Sequence, residues 1–190
     1  MTEETPSYTT SLYGITKYAS ERIALRYNTL FGLDVVAVRP ANVYGPMERL
    51  SPGFVGATEI REMLRLYHEG QAIRVNSLEG PYLDWTYVDD IAQGIERAWA
   101  AEGLQNRVYS LTAGTLYSIG DVLRAFATHL PDLRFEQVAK CEANYHVSGD
   151  APGPIPSNAR MREDFGWVPE TTLEDGMGRY LDWVARYGPQ

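Results

Sequence analysis

Cysteine is nearly absent: Cys141 stands alone in 190 residues, so no internal disulfide can form. A lone cysteine most often packs as a small buried hydrophobe, and a reducing, cytoplasmic setting fits it. Lysine is almost as scarce. Of 17 basic residues only Lys17 and Lys140 are lysines, which makes each one worth locating. No basic stripe offsets the 25 acidic residues and the net charge of −8. The electrostatic footprint of a nucleic-acid binder is therefore missing, and the charge reads as solubility. The longest apolar runs are too short to span a bilayer, so no membrane partner is expected. The opening MTEETPSYTTS has neither the basic nor the apolar region of a signal peptide. His68, His129 and His146 are too scattered for metal-ligand spacing; surface or helix-end positions are expected, and no metal. No Ser-His-Asp pattern, repeat or low-complexity tract stands out. A GxGxxG turn is also lacking, since Gly14 and Gly45 have no suitably spaced glycine partners. A strand, a glycine-rich turn and a helix usually open a nucleotide-binding α/β fold.

What is present is an ordinary globular composition, 44% hydrophobic and 22% charged. Ile15, Ala19, Ile23, Tyr27 and Leu30 recur at helical spacing and predict a helix over 12–30, stopped by Gly32. Residues 34–39, DVVAVR, read as a strand buried on both faces, ended by Pro40. A loop through 53, a helix over 54–69, and strands at 72–75 and 82–88 follow. Asp89 or Asp90 is expected to cap a helix running to about 101. Residues 107–111 read as a strand. Ser118 caps a helix to 129 with a capping-box-like Asp121. Residues 133–138 read as a strand, 148–157 as a loop, and 158–165 and 172–187 as helices. The alternation of helices and strands argues an α/β fold with parallel pairing.

Four segments could carry chemistry. In Tyr13-Gly14-Ile15-Thr16-Lys17 the i, i+4 spacing places the lysine ammonium beside the phenol. A nearby cation favours phenolate, and a tyrosine so tuned can take a hydroxyl proton while hydride leaves the carbon. Two exposed side chains on a helix would give the same spacing. Arg39-Pro40-Ala41-Asn42-Val43-Tyr44-Gly45-Pro46 follows a strand at its carboxyl end, where open α/β sheets bind ligands, or is a plain strand-to-loop turn. Asp84-Trp85-Thr86-Tyr87-Val88-Asp89-Asp90 reads as a strand entering an acid-capped helix. Phe165-Gly166-Trp167-Val168-Pro169 with the Thr172–Gly176 stretch reads as a structural helix–turn–helix.

In this order the four segments resemble the carboxyl-terminal part of an extended short-chain dehydrogenase/reductase of the NAD-dependent nucleotide-sugar epimerase/dehydratase type. YGITK is similar to that family's YxxxK, RPANVYGP to RxxNVYGP, LDWTYVDDIA to RDWxYVxDxA, and FGWVP…TLEDG to LGWxP…xLExG. The resemblance implies part of a Rossmann-like doubly wound fold plus a small α/β substrate-binding domain. Residues 1–53 would be the remnant of the NAD-binding domain. Residues 54–190 would be mainly the substrate domain, with some segments returning to the sheet. Tyr13 would be the catalytic acid/base, and Lys17 would hold the nicotinamide ribose and tune Tyr13. Pro40 and Val43 would lie beside the nicotinamide. Asn42 would contact the substrate, with Arg74 and Tyr87 as further candidates.

Two departures qualify what is carried over. The family's glycine-rich half and its catalytic Ser/Thr have no counterpart here, so NAD or NADP is implied by the family while turnover by this chain alone is not expected. Leu83 stands where the family carries an arginine against the substrate diphosphate. Arg74, Arg160 and Arg162 are candidates to compensate. The expected partners are a sugar or nucleotide-sugar substrate and either a homo-oligomer or a chain supplying the missing half. Two alternatives stay open: a non-catalytic substrate-binding or oligomerisation module, and a family dehydrogenase acting on a small sugar acid or hydroxy acid.

Overall fold

A computed structural model describes residues 1–48, 58–147 and 153–188. The start of the helix expected from residue 54 and the first part of the 148–157 loop lie outside these residues. The chain opens with α1 (Leu12–Phe31). The Ser11 hydroxyl caps it by accepting from the Gly14 N–H, and Gly32, at φ 67°, ends it in the left-handed region. Strand β1 (Ala37–Pro40) and the short β2 (Asn42–Tyr44) follow, then α2 (Glu59–His68), β3 (Ile73–Val75) and β4 (Trp85–Tyr87). Beyond them come α3 (Val88–Ala100), β5 (Val108–Leu111), α4 (Ile119–His129), β6 (Phe135–Gln137), α5 (Ala159–Phe165) and α6 (Leu173–Tyr187).

Every named strand pairs in parallel: β1 with β5, β2 with β4, and β3 with β6. The fold is thus α/β with parallel pairing, as the alternation predicts. The 42–44 strand falls within a stretch that its glycines and prolines mark as loop. It forms because Asn42 donates its N–H to Asp84 O at 3.0 Å, a long-range bond no local pattern announces.

The larger of two apolar cores lies among β2, β3, β4, α2, α4 and α6, around Tyr44, Ile60, Val75, Trp85, Phe126 and Met177. Gly176 makes part of it possible, because a Cβ there would sit 2.0 Å from the Tyr44 hydroxyl. The smaller core gathers Ile91, Tyr109, Leu111, Met161 and Trp167 from α3, β5 and the α5 turn.

Three expectations are corrected. Helix α3 starts at Val88 behind Tyr87, and no side chain caps it. Asp90 is buried and instead accepts from the Glu170 and Thr171 N–H groups at 3.4 and 3.1 Å. Trp167 Nε1 donates to the Asp90 carbonyl at 3.1 Å, so the FGWVP turn is stitched to α3. Cys141 is exposed, on a turn, rather than packed inside.

The third correction concerns the strand expected over 34–39 and buried on both faces: β1 begins only at Ala37, Asp34 is exposed, and residues 35–39 are partly buried, with no strand on the outer edge of β1 among the described residues. The apolar spacing of α1 marks a helix, as expected, and none of its residues is buried. Ile15, Ile23, Tyr27 and Leu30 all point to solvent, while Gly14, Glu21, Ala24, Leu25 and Asn28 are the partly covered positions. Trp99, near the end of α3, is 85% exposed.

The two edges of the β1–β5 pair differ. In a parallel pair successive residues turn their N–H groups alternately toward and away from the partner. Ala37 N donates to Arg107 O and Ala41 N to Leu111 O, so Val36 and Val38 face the outer edge of β1. No strand pairs there among the described residues. On the outer edge of β5, Ser110 N donates to Glu3 Oε1 at 2.8 Å and Val108 O accepts from Arg160 at 3.2 Å.

Candidate active site beside the first strand

The spacing of Tyr13 and Lys17 places both on one face of α1, and the Lys17 Nζ lies 5.7 Å from the centroid of the Tyr13 ring. They line a cleft of about 530 Å³ together with Thr9, Gly14, Val38, Arg39, Pro40 and the amino-terminal residues Met1–Ser7 in part. Gly14 admits the Thr9 side chain to this wall: a Cβ would meet Thr9 Oγ1 at 1.9 Å. The cleft therefore combines a phenol, an ammonium and an apolar floor from Val38 and Pro40.

Arg39 ties α1 to this floor. Its Nε and Nη2 donate to the two oxygens of Glu21 at 2.7 and 2.8 Å, and its Nη1 donates to Glu3 O at 3.3 Å. The hydrogen bond to Glu21 raises the guanidinium pKa further against the opposing effect of burial. Sequence reading passed over this pair. Its signal is that Glu21 continues the i, i+4 series from Tyr13 and Lys17.

Asp84 is the second residue missed. It is 3% exposed. Its carboxylate accepts from the hydroxyls of Thr86 (2.9 Å) and Thr112 (2.5 Å) and from the N–H groups of Ala113 (3.1 Å), Gly114 (2.8 Å) and Thr115 (3.2 Å). Its carbonyl accepts from both the N–H and the Nδ2 of Asn42, the latter at 3.2 Å. One buried carboxylate thus fixes the loop after β5 and the first residue of β2. Buried charge is tolerated where donors surround it in this way.

The other expected residues fall at varying distance from the cleft. Asn42 is exposed at the start of β2, and Val43 packs partly buried on the smaller core. Tyr87 is buried, with its ring 5.6 Å from Tyr44 and the Arg179 guanidinium 5.8 Å over it. Burial, with Asp89 nearby, pushes its phenol up. Arg74 is exposed on β3, where its backbone holds Asn144 and Tyr145. Neither Tyr87 nor Arg74 lines the Tyr13 cleft. Leu83 packs against the larger core and exchanges backbone hydrogen bonds with Tyr117. Arg160 pairs with Glu3 and Glu4, and Arg162 donates to Asn158 at 3.0 Å. Among the described residues no cluster suited to a metal ion occurs, and no helix is long and apolar enough to cross a membrane.

Comparison with known proteins gives this geometry a context. The model of the NAD dependent epimerase/dehydratase family matches residues 1–112. UDP-glucuronate 4-epimerase 2 of Arabidopsis thaliana is 28% identical over 95% of this chain and 43% of its own length. The dTDP-glucose 4,6-dehydratase of Bacillus anthracis, solved in complex with NAD, is 26% identical with a TM-score of 0.74, covering 98% of this chain and 56% of that one. UDP-glucose 4-epimerase of Bifidobacterium longum, solved with NAD+ and UDP, has a TM-score of 0.78 over 98% of this chain and 58% of its own; at 22% identity it is a likeness of fold. The chain spans about half the length of these relatives. With a family model covering more than half of its residues, the chain belongs to the NAD dependent epimerase/dehydratase family.

Proposed function

We propose that this chain is the tyrosine-bearing, substrate-side part of an NAD- or NADP-dependent sugar epimerase or dehydratase, inactive until a nucleotide-binding half completes it. The observation that carries the reading is the Tyr13–Lys17 pair in a cleft floored by Pro40 beside a parallel strand. The chain's residues fit one end of the dinucleotide. Lys17 offers an ammonium to a ribose hydroxyl, and Val38 and Pro40 offer an apolar surface to a flat ring. A pyrophosphate-binding glycine turn is not among the chain's motifs. When bound, the cofactor would supply hydride transfer at a sugar carbon. Tyr13 would take the hydroxyl proton at its phenol oxygen, with the Lys17 ammonium held beside its ring. Asn42, held by Asp84, would orient the sugar. Residues 1–53 would belong to the cofactor domain, and the pairing of β5 with β1 supports a return of later segments to that sheet.

The bare α1 stripe, the open β1 edge and Trp99 support docking of a further strand and helix there. The half that the chain lacks relative to its relatives fits that description, whether in the same polypeptide or another. A homo-oligomer is the other candidate occupant.

Leu83 favours a second substrate reading. With leucine packed into the core and Arg160 and Arg162 engaged elsewhere, the side chains at this point offer a diphosphate little charge. A small sugar acid or hydroxy acid would need none.

The test joins the chain to the amino-terminal half of a 4-epimerase relative and follows UDP-glucuronate and small hydroxy acids with NAD. The joined protein is expected to turn over, and Tyr13→Phe to lower kcat by roughly 10²–10⁴-fold. The chain alone is expected to give none. Equal rates for Tyr13→Phe, or turnover by the isolated chain, would overturn the proposal.

A further inference from the structure

Tyr13, Lys17 and Glu21 lie four residues apart in turn, on one face of α1, and all three line the cleft. Lysine and glutamate at this spacing attract each other across a helical turn. Lys17 thus has two neighbours to choose from: the Tyr13 ring one turn back and the Glu21 carboxylate one turn ahead. In the structure it sits over the ring, 5.7 Å from the centroid. The Glu21 carboxylate is only 10% exposed, and both its oxygens accept from Arg39, at 2.7 and 2.8 Å. A bidentate guanidinium neutralises a carboxylate and fixes its direction.

We propose that Arg39 is a positioning residue: by occupying Glu21 from β1, it keeps the Lys17 ammonium on Tyr13. This deepens the proposed function, on which its catalytic meaning rests, but the placement of the ammonium is a property of the chain itself. The Arg39 guanidinium donates to Glu21 and to the Glu3 carbonyl. Its third donor, Nη1, reaches Glu3 O at 3.3 Å, so the amino-terminal segment holds the guanidinium as well. Glu3 and Tyr18 also lie near the Arg39 guanidinium, and neither brings a second cation to Glu21. Lysine at position 39 could make only a single-point contact, so arginine is the side chain this task requires.

The scarcity of lysine makes the test direct. With lysine labelled in its ε-methylene, the purified chain gives two NMR signals, from Lys17 and Lys140, and Lys17→Arg assigns them. A methylene over an aromatic ring is shifted upfield, so the Lys17 signal reports its seat on Tyr13, and Tyr13→Leu removes the shift. Arg39→Gln is expected to release Glu21, which draws Lys17 away and abolishes at least half of the shift. The double variant Arg39→Gln/Glu21→Gln is expected to restore it, because the competing carboxylate is gone. A plain anchoring role for Arg39 predicts no such restoration. Where Arg39→Gln does not fold, Arg39→Lys decides, with a partial loss expected; its third lysine signal is told apart by comparison with Arg39→Lys/Lys17→Arg.

A Lys17 signal without ring shift in the unaltered chain, an unchanged shift in both Arg39 variants, or a double variant that stays unshifted overturns the proposal. None of these outcomes bears on whether the joined enzyme turns over. Conversely, loss of the family reading in the Tyr13→Phe assay leaves this measurement intact.

Discussion

At the scale of single residues, the chain places charge where only neighbours can justify it. Asp84 is satisfied by five donors and Glu21 by one guanidinium; Glu48 is less well served. Its carboxylate accepts from the Thr58 hydroxyl and, at 3.3 Å, from the Tyr180 hydroxyl, while Arg61 donates to its carbonyl at 2.5 Å. Burial pushes the Glu48 carboxyl above the ordinary carboxylate range, and the hydrogen bonds from Thr58 and Tyr180 oppose this without cancelling it. A carboxyl raised in the folded state contributes its full stability below the unfolded value and loses it as pH rises through the folded one. Glu48→Gln, which is neutral at every pH and keeps an acceptor, should therefore gain on the wild type with rising pH. We expect the difference in calorimetric Tm to move in favour of the variant as pH rises from about 4 to about 7. A difference that is flat or moves the other way would show that the carboxylate is well paired.

At the scale of elements, the helices differ in what holds them. α4 carries a complete capping box: Ser118 accepts from Asp121 N at 3.1 Å, and Asp121 accepts from Ser118 N at 2.8 Å. Burial pushes the Asp121 carboxyl up, but Arg124 and Ser118 outweigh it and hold the group below its usual range. The buried face of α4 then packs Val122, Leu123 and Phe126 into the larger core. Ser118→Ala should cost about 1 kcal/mol and lower the main melt. Ser11→Ala removes the corresponding cap of α1, a helix with partly covered residues but none fully buried. It should fray that helix, seen in far-ultraviolet circular dichroism, while the main transition stays within about 0.5 kcal/mol. The same contrast explains what could be read beforehand. The extent of α1 and the box at Ser118 are local, and so were legible. The 42–44 strand and the true role of Asp90 depend on partners 42 and about 80 residues away, and so were not. Tyr13 and Lys17 were legible because four residues along a helix fix their meeting. Glu21 belongs to the same series, but its importance appears only once Arg39 arrives from β1.

At the scale of the whole molecule, the unpaired β1 edge, the apolar stripe of α1 and Trp99 form one contiguous argument for association. For the chain studied by itself, we propose a second copy as the cover. Two chains of charge −8 repel, so pairing should strengthen with salt as the repulsion is screened. Light scattering at rising concentration is expected to show a mass that climbs to two chains and stays there. Hydrogen exchange should find the Val36 and Val38 amides faster than that of Ser110, which Glu3 holds. A strict monomer at high concentration, or slow exchange at Val38 in the monomer, would count against this picture.

The plateau at two follows from the asymmetry of the β1–β5 pair. Strand-by-strand growth needs a molecule sticky on both sides, like a bead with two hooks. Here Glu3 and Arg160 blunt one hook, so the valence of the joint is one. A chain that added to another sheet through β1 would present, on this pair, only the β5 edge that Glu3 and Arg160 hold. It would then act as a terminator of growth along this pair rather than a link in it.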